Sequence, residues 1–412
     1  MERWPDDDDE RFEDLFNLDD PESLLDWNED ILLALLDDIP FVDHHVHAPY
    51  REDGPLSLSD FRRPFTESAI EEVWNVQLPS QLGYRWMVRE LALLLGVEQS
   101  EEAVLEARNA MPPAEYHRML AQDANISAAY ADDLFALGEC YDISEWSELL
   151  GCPVYRVLRI ETFVEQGLEG AATLEEALER LTAEVAGAPQ NGIISLKSIA
   201  GYRTGLAFNP PASDTRARAS HSYSATREHK LAGGWGRIAD KDLVDTIVWT
   251  ALEAAAPLKL PMQFHVAFGD DDIVMARNDP TLMRALFQHE PFRVVPLVLL
   301  HCYPHHRKAG YLASIYPNVY VDLGLTIPIV GPGAARVLEE TLELAPVRQV
   351  LASTDGHMTP EFQWFGVFVW RQAIVKVATA YLEMGALAGE DAEWFAESIL
   401  KDNALRIYPR WT

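Results

Sequence analysis

Cysteine is scarce in this chain of 412 residues, which has three, at positions 140, 152 and 302. Their number is odd, their spacing is wide and no two of them form a CxxC pair. Neither a disulfide framework nor a thiolate zinc site is therefore expected, and a cytoplasmic location fits this usage best. The start of the chain, MERWPDDDDE, has neither the basic nor the apolar stretch of a secretory signal.

Long apolar runs and basic residues are also in short supply. No run approaches the roughly 20 apolar residues that a membrane-spanning helix needs. Lys and Arg number 33 against 66 Asp and Glu, which gives a formal net charge of −33. This balance argues against partners such as nucleic acid, whose phosphates need a basic surface, and against anionic membranes. Such an acidic surface suits either a high-salt habitat or an ordinary acidic bacterial protein, and it concerns solubility rather than fold.

The rest of the composition describes an ordered globular protein, with 48% hydrophobic and 10% aromatic residues. Residues 1–38 are acidic, and DPESLLDWNEDILLALLDDI has apolar residues at helical spacing. An acidic N-terminal helical extension is predicted there. A barrel domain is predicted for residues 39–412, with a helical insertion at about residues 51–122 that includes the pattern SQLGYRWMVRELALLLG.

Eight short apolar runs follow one another along residues 39–412, with helical patterns between most of them. They read FVDHHVHA, ISAAYADD, PVYRVLRIE, GIISLKSIAGYR, PMQFHVAFG, VVPLVLLHCYP, VYVDLGLTI and QVLASTDGH. Buried parallel strands are typically continuous apolar runs rather than alternating ones. Eight strand–helix units over this length predict an α/β fold, a (β/α)8 TIM barrel.

Groups that can bind a metal stand at the ends of five of these runs. They are His45 and His47 in the first, Lys197 in the fourth, His265 in the fifth, His301 in the sixth and Asp355 in the eighth. The active sites of such barrels lie at the C-terminal ends of the strands. Side chains at i and i+2 share a face, so His45 and His47 can both enter the barrel mouth.

The remaining polar residues of the first run are expected to play lesser parts. His44 points away from the mouth by the same alternation and is interpreted as a packing residue, and Asp43 can support the ligands from behind. Imidazole and carboxylate ligands suit zinc, with manganese or iron as lesser alternatives.

These residues resemble the pattern of the amidohydrolase superfamily of metal-dependent (β/α)8 hydrolases. HVH, SLKS, QFHV, LLHC and STDG match its HxH, Lys, His, His and Asp on strands 1, 4, 5, 6 and 8. FRRPFTES, LKSIAGYRTGL, FGDDDIVMARNDP and STDGHMTPE resemble a narrower branch, amidohydrolase-2. That branch includes the amidohydrolase-like domains fused to glutamine-synthetase-like domains in nodulin-related and fungal developmental proteins. The resemblance covers the chain from about residue 39 to the end.

The resemblance implies a divalent metal as cofactor, zinc by preference, with two ions if Lys197 carries a carbamate that bridges them. The more buried ion would be held by His45, His47 and Asp355, and the other by His265 and His301. The alternative for Lys197 is a free amine that binds a substrate carboxylate at a single-metal site. The resemblance also implies hydrolysis by a metal-activated water, with Asp355 as the general base.

Residues that follow the strand ends are candidates for substrate binding. They are Tyr202, Arg203, Arg159 and His357. Each arginine can hold a substrate carboxylate through two hydrogen bonds, or can form an ion pair with one of the many acids nearby. Glu361, after HMTP, is expected to pair with an arginine near the pocket.

The predicted function is hydrolysis of an amide or related C–N bond in a small, carboxylated molecule. A decarboxylase or an isomerase similar to uronate isomerase on the same barrel is the first alternative. A non-catalytic metal-binding barrel is the second, and the complete ligand set counts against it. The expected partner is a small-molecule substrate, without nucleic acid or membrane. The insertion and the N-terminal helices are candidate surfaces for a homo-oligomer.

Overall fold

The computed structural model describes residues 29–52, 54–136 and 138–409. Within these ranges, eight parallel strands form one sheet in which each strand pairs with the next along the chain. The strands are β1 Phe41–Val46, β2 Ile126–Asp132, β3 Val154–Arg159, β4 Ile193–Ser198, β5 Met262–Val266, β6 Leu297–His301, β7 Val319–Asp322 and β8 Val350–Leu351. The predicted (β/α)8 TIM barrel is confirmed.

The barrel closes where the segment after β8 meets the end of β1. The N–H of Asp355 donates to the carbonyl of His45 (3.1 Å), and the N–H of His47 donates to the carbonyl of Gly356 (2.7 Å). A parallel bridge joins Pro49 to Met358 beyond them. The contact that nearly closes the ring of strands therefore joins the segment with His45 and His47 to the segment with Asp355.

Helices surround the strands. Those with eight or more residues in the described ranges are Glu29–Asp38, Leu82–Leu95, Glu101–Ala110, Pro113–Asp123, Ile143–Leu150, Ile160–Gly167, Leu174–Ala186, Ser213–Leu231, Lys241–Ala255, His306–Ile315, Ala334–Leu342 and Pro360–Glu383. Shorter α-helices are Leu58–Arg62, Ala188–Asn191, Arg284–Gln288, Thr326–Val330, Ala392–Glu397 and Asn403–Ile407. No helix among these described residues has both the length and the apolar character to cross a lipid bilayer.

Side-chain caps set where several of these helices begin. Asp142 Oδ1 accepts the N–H of Glu145 (2.9 Å), and Glu145 Oε2 accepts the N–H of Asp142 (3.0 Å), so a capping box opens Ile143–Leu150. Asp240 opens Lys241–Ala255 with a single bond of this kind. Each cap satisfies backbone donors that have no partner within the helix.

The segment between β1 and β2 is helical, as its pattern predicts. It contains four of the α-helices, joined by short 3-10 and π turns, and its described part has no strand. The predicted N-terminal extension is described only from Glu29, where a helix runs to Asp38. Residues 1–28 lie outside the described residues, so the domain boundary at residue 38 stays a prediction.

Two of the three buried apolar clusters in the described part of the barrel bear on the position of the site. The larger lies between the strands and the surrounding helices and includes Leu297 and Leu299 of β6. The smaller combines side chains of six strands with two from the C-terminal segment: Val42, Ala128, Tyr130, Val157, Ile194, Val298, Leu300, Leu351, Ala404 and Tyr408. Only the barrel interior is open to six strands at once, so this cluster fills the interior beneath the mouth.

Candidate metal centre

The predicted metal ligands converge at the C-terminal ends of the strands. His45, His301 and Asp355 each offer a ligand atom, and these atoms all lie within 4.8 Å of one another. His47 Nε2 lies 3.3 Å from Asp355 Oδ1. The ring of His265 lies 4.7 Å from that of His301, centre to centre. This trio therefore combines ligands that the prediction assigns to different ions: His45 and Asp355 to the more buried ion, and His301 to the other.

Left-handed backbone brings two of these residues into place. In β6, Val298 and Leu300 face the interior, so strict alternation would turn His301 outward. His301 instead has a φ of 67° and Asp355 a φ of 54°. Non-glycine residues rarely adopt this region, and such strain is concentrated at functional sites.

Gln263 determines which nitrogen of His45 carries the proton. Its Nε2 donates to the carbonyl of His44 (2.8 Å) and to the hydroxyl of Tyr408 (2.9 Å), which leaves Oε1 facing His45 Nδ1 at 2.9 Å. An amide oxygen only accepts, so Nδ1 carries the hydrogen. Burial and the nearby Lys197 lower the pKa of His45 to about 3, so the ring is neutral. Its Nε2 therefore presents a lone pair.

That lone pair faces a carboxylate oxygen. Asp355 Oδ1 lies 3.0 Å from His45 Nε2. Burial alone would raise the pKa of Asp355, but His301, His45 and His47 lower it well below its usual range, so the carboxylate is ionised. Two acceptors at this separation repel one another unless a cation accompanies them.

Lys197 supplies one positive group at this point. Its Nζ lies 2.9 Å from His45 Nε2, and its side chain is buried. Burial lowers the pKa of the amine to about 8. About a tenth of the amine is therefore neutral at pH 7, and carbamate formation requires this neutral form.

His265 and His301 bring further ring nitrogens. His265 Nε2, His301 Nε2 and Asp355 Oδ1 are buried without a hydrogen-bond partner among the described residues. Burial lowers the pKa of His301 to about 4 and that of His265 well below its usual value, so both rings are neutral. Unpartnered buried polar atoms are costly, and imidazole nitrogen with carboxylate oxygen is a donor set that divalent transition metals favour. The residues fit a metal.

His301 is a different tautomer from His45. The N–H of Leu325 donates to His301 Nδ1 at 3.2 Å. A neutral ring that accepts at Nδ1 carries its hydrogen on Nε2. In this tautomer His301 is a donor towards Asp355 Oδ2, 3.7 Å away; to bind a metal through Nε2 it needs the other tautomer, in which the bond from Leu325 is given up.

A buried network supports the ligands from below. His44 Nε2 lies 3.2 Å from Asp322 Oδ1, and His44 Nδ1 lies 3.1 Å from the hydroxyl of Tyr408. His44 is thus a buried, hydrogen-bonded residue, and it lies in the barrel interior beside Tyr408, although alternation from His45 predicts the opposite face. Asp43 accepts from the N–H and the hydroxyl of Thr354, at 3.0 and 2.6 Å, and so holds the residue before Asp355.

Four of the six predicted ligands, His47, Lys197, His265 and Asp355, line the floor of a cavity of about 710 Å³, within the usual size of small-molecule sites. All four predicted substrate-binding residues line it: Tyr202, Arg203, Arg159 and His357. Both arginines already have carboxylate partners: Arg203 lies 3.1 Å from Glu165 and Arg159 lies 2.7 Å from Asp132. The ring of Tyr202 lies 4.2 Å from that of His265, centre to centre.

Several residues of the site were not predicted. Asp132 ends β2 in YADD and was not predicted, although a carboxylate at a strand end is also a metal-binding group. Glu67 in FRRPFTES lines the cavity, and burial, Asp355 and Asp270 raise its pKa to about 8. Gln263 carries no sequence signal, because its role depends on a partner far away in the chain. Glu361 pairs with an arginine as expected, with Arg108 of the insertion at 2.6 Å.

Comparison with known proteins agrees with this geometry. A family model described as amidohydrolase matches residues 167–410. The chain belongs to the amidohydrolase family. This amidohydrolase is also 30% identical over 410 residues to protein fluG of Emericella nidulans, with 92% of this chain and 46% of the fungal protein covered. It therefore spans about half the length of that relative.

Solved structures share the fold of this amidohydrolase. A Lactobacillus casei protein, provisionally described as a metal-dependent hydrolase, is 27% identical with a TM-score of 0.81, covering 91% of this chain and 96% of the other. Uronate isomerase of Thermotoga maritima has a TM-score of 0.63 at 13% identity, covering 92% and 97%. Glucuronate isomerase of Caulobacter crescentus has a TM-score of 0.64 at 14% identity, covering 93% and 95%. At these identities the two isomerases bear on the fold alone.

Proposed function

We propose that this amidohydrolase is a metal-dependent hydrolase that cleaves an amide or related C–N bond in a small, carboxylated molecule. One observation carries the proposal: an ionised oxygen of Asp355 and the lone pair of His45 face one another at 3.0 Å in the barrel mouth. The description of the Lactobacillus casei protein agrees with it. The cysteine usage adds a cytoplasmic location to the proposal.

The proposed metal ligands are His45, His47, His265, His301, Asp355 and, as a carbamate, Lys197. Zinc is the preferred metal for such nitrogen and oxygen donors. When bound, a divalent ion would lower the pKa of water towards neutrality and polarise a carbonyl group. The low pKa of the Lys197 amine, about 8, favours reaction with CO2.

Asp355 is the proposed proton carrier. Its carboxylate is ionised and lies at the cavity floor, where it can accept a proton from the attacking water and release it to the leaving nitrogen. Tyr202 provides a proton donor beside it. Burial and the acids around it raise the pKa of Tyr202 well above its usual value, so its hydroxyl stays protonated and can donate to the substrate carbonyl.

The substrate carboxylate requires a cation at the cavity wall. Arg159 pairs with Asp132, and Arg203 pairs with Glu165. Each arginine can therefore bind a substrate carboxylate either in addition to its present carboxylate partner or in place of it. Arg63 also lines the cavity, and its guanidinium lies 5.4 Å from the ring of Trp74. No carboxylate of the described residues is within ion-pair distance of Arg63, which makes it a further candidate for the carboxylate grip.

A second candidate function is a decarboxylase or isomerase at a single-metal centre. The observation that favours it is the bond from the N–H of Leu325 to His301 Nδ1, which places a proton on Nε2. His301 then acts on the substrate as an acid or hydrogen-bond donor, and Lys197 keeps its amine to bind a carboxylate.

Metal content distinguishes these functions. Protein purified without chelator is analysed for metal per chain, and its intact mass is compared in bicarbonate and after acidification. About two ions and an acid-labile CO2 adduct support the binuclear hydrolase, and carboxylated amides are then assayed for hydrolysis. About one ion and a free lysine favour the second candidate, and CO2 release and aldose–ketose exchange are assayed instead. A chain that neither contains nor takes up metal contradicts both.

Variants of two lysines assign the adduct to its residue. Lys197→Met is expected to lose the adduct and one equivalent of metal, because the bridging group is gone. Lys308→Met is the matched control, because Lys308 is exposed and pairs with Asp279 on the surface. An adduct that persists in Lys197→Met contradicts the carbamate.

A further inference from the structure

Trp235 is 81% exposed, the highest value among the exposed large hydrophobic side chains of the described residues. It stands in the sequence AGGWG, in the loop that joins the helices Ser213–Leu231 and Lys241–Ala255. An indole that stays in water does not provide the large hydrophobic stabilisation that its burial would provide. Exposed aromatic side chains of this kind are typical of binding sites.

The position of Trp235 connects it with the candidate metal centre. It lines the same cavity as Lys197, His265 and Asp355, and unlike these buried residues it is exposed to solvent. Two residues later, Arg237 donates to Asp272 at 2.7 Å and to the carbonyl of Tyr202 at 3.1 Å. The loop is thereby tied to the segment after β4, and its indole lies at the cavity mouth.

Other apolar side chains continue from the mouth to the ligands. Leu134, Phe135 and Met358 line the same cavity. The ring of Phe135 lies 4.5 Å from that of His47, centre to centre, and the guanidinium of Arg159 lies 5.6 Å from it. The cavity therefore has a polar floor, two aromatic rings next to the ligands, Phe135 and Tyr202, and a third at the mouth.

The glycines beside Trp235 leave the indole room to move. Gly233 has a φ of +87°, a conformation that other residues rarely adopt. A Cβ on Gly234 would lie 2.2 Å from His229 Nε2, so a larger residue there would require the exposed His229 ring to turn away.

We propose that Trp235 is a specificity-determining residue that packs on a flat apolar group, such as a phenyl ring, in the part of the substrate remote from the reacting bond. The inference rests on the proposed function only in placing the reacting bond at the cavity floor. Phe135 forms the inner apolar contact and Trp235 the outer one. Substrates that lack such a group leave the indole in water and bind more weakly.

Binding of two neutral probes tests this role without turnover. 3-Phenylpropanamide and propanamide share an amide and differ by one phenyl ring. Their dissociation constants are measured by ligand-observed NMR on the full chain as purified. Wild type is expected to prefer the phenyl compound by about tenfold or more, because burying the ring removes a large apolar area from water.

Three variants locate the preference. Trp235→Ala is expected to reduce it to about threefold or less, and Trp235→Phe to keep most of it, because an aromatic face remains. Trp394→Ala is the matched control: Trp394 is 50% exposed in the helix Ala392–Glu397, does not line the cavity, and should leave the preference unchanged. An unchanged preference in Trp235→Ala overturns the proposal, and so does failure of wild type to prefer the phenyl compound.

Metal content of the same samples separates this result from the proposed function. Unchanged metal with a lost preference assigns the effect to Trp235 itself. A metal-free chain that still shows a Trp235-dependent preference would end the hydrolase proposal and leave the recognition role standing.

Discussion

Asp355 and His45 are joined twice. The N–H of Asp355 donates to the carbonyl of His45 at 3.1 Å, and its side-chain Oδ1 lies 3.0 Å from His45 Nε2. The backbone bond closes the barrel between β8 and β1, and the side-chain contact brings two acceptors together. The backbone contact that nearly closes the barrel therefore also brings two candidate metal ligands together.

Replacement of Asp355 by Asn is expected to weaken metal binding and to reduce turnover by about 10²–10⁴-fold, the range typical of lost general acid–base catalysis. Asn keeps the size and one acceptor oxygen but loses the charge and the basic site. Metal affinity is measured by competition with a chelating dye, and turnover on the first substrate found. Asp245→Asn is the control, because Asp245 is buried, pairs with Lys241 and Asn209 and, within the described residues, has no hydrogen bond to a proposed ligand. Wild-type metal affinity and turnover in Asp355→Asn would contradict the assignment.

Gln263→Leu is expected to lower metal affinity by about 10–100-fold, the usual effect of removing a group that orients a histidine ligand. Leucine cannot accept from His45 Nδ1, so the ring loses the bond that holds its hydrogen there. The measurement is the same dye competition.

Gln349→Leu controls for the loss of a buried amide. Gln349 Nε2 donates to the carbonyls of Tyr316 and Val319, at 3.2 and 2.9 Å, and touches no proposed ligand. It should reduce stability and leave metal affinity at the wild-type value. Equal losses of affinity in the two variants would mean that the effect comes from general destabilisation.

Part of the site could be predicted from the spacing of ligands within a strand, although the pairing of β1 with β2 shifts register between Asp43 and Val46. The HVH spacing in β1 indicates that His45 and His47 share a face, and both do lie close to Asp355. The same rule is wrong for His301, which follows the inward-facing Leu300 and reaches the centre only through its left-handed backbone. Alternation holds within an extended strand and gives no information once the strand ends.

Other features of the structure depend on contacts between residues far apart in the chain, which a local sequence pattern does not reveal. The helix Ser213–Leu231 was not predicted, because its sequence SDTRARASHSYSATREHKL has no apolar periodicity. Only three residues of this helix are buried, so its contacts with the rest of the protein require few apolar residues in its sequence. The tautomer of His45 likewise depends on Gln263, more than two hundred positions away.

Arg108→Met is expected to destabilise the chain by about 3–5 kcal/mol, the usual cost of breaking a buried ion pair from one side. Arg108 lies in the insertion and binds Glu361 at 2.6 Å and Glu52 at 2.5 and 3.0 Å. Its removal leaves two buried carboxylates without their cation. The midpoint of urea unfolding provides the measurement.

Arg307→Met is the matched control for this ion pair. Arg307 is 58% exposed and lies 3.0 Å from Glu343. Solvent screens such a pair, so the change should stay within about 0.5 kcal/mol. If Arg108→Met were as mild as the control, Arg108 would not hold the insertion to the segments after β1 and β8.

Glu52 is expected to make stability depend on acid pH. Burial alone would raise its pKa, but hydrogen bonds from His117 and Arg108 outweigh burial and lower the pKa from 4.5 to about 2. A carboxylate whose pKa is lower in the folded state stabilises the fold above the unfolded pKa. That contribution is lost as the pH falls from about 4.5 to about 2.

The difference in unfolding free energy between wild type and Glu52→Gln isolates this contribution from the other acids. We expect this difference in unfolding free energy to include a pH-dependent contribution of up to about 3 kcal/mol. The contribution is present at pH values above about 5 and is lost near pH 2. Glu343→Gln is the control, because Glu343 is 52% exposed and its pair with Arg307 is screened by solvent, so its difference should stay flat. A flat difference for Glu52→Gln would mean that Arg108 and His117 do not stabilise the charged form of Glu52. Apolar packing would then hold the insertion to the barrel. Acid would then destabilise the candidate metal centre only by protonating the proposed ligands themselves.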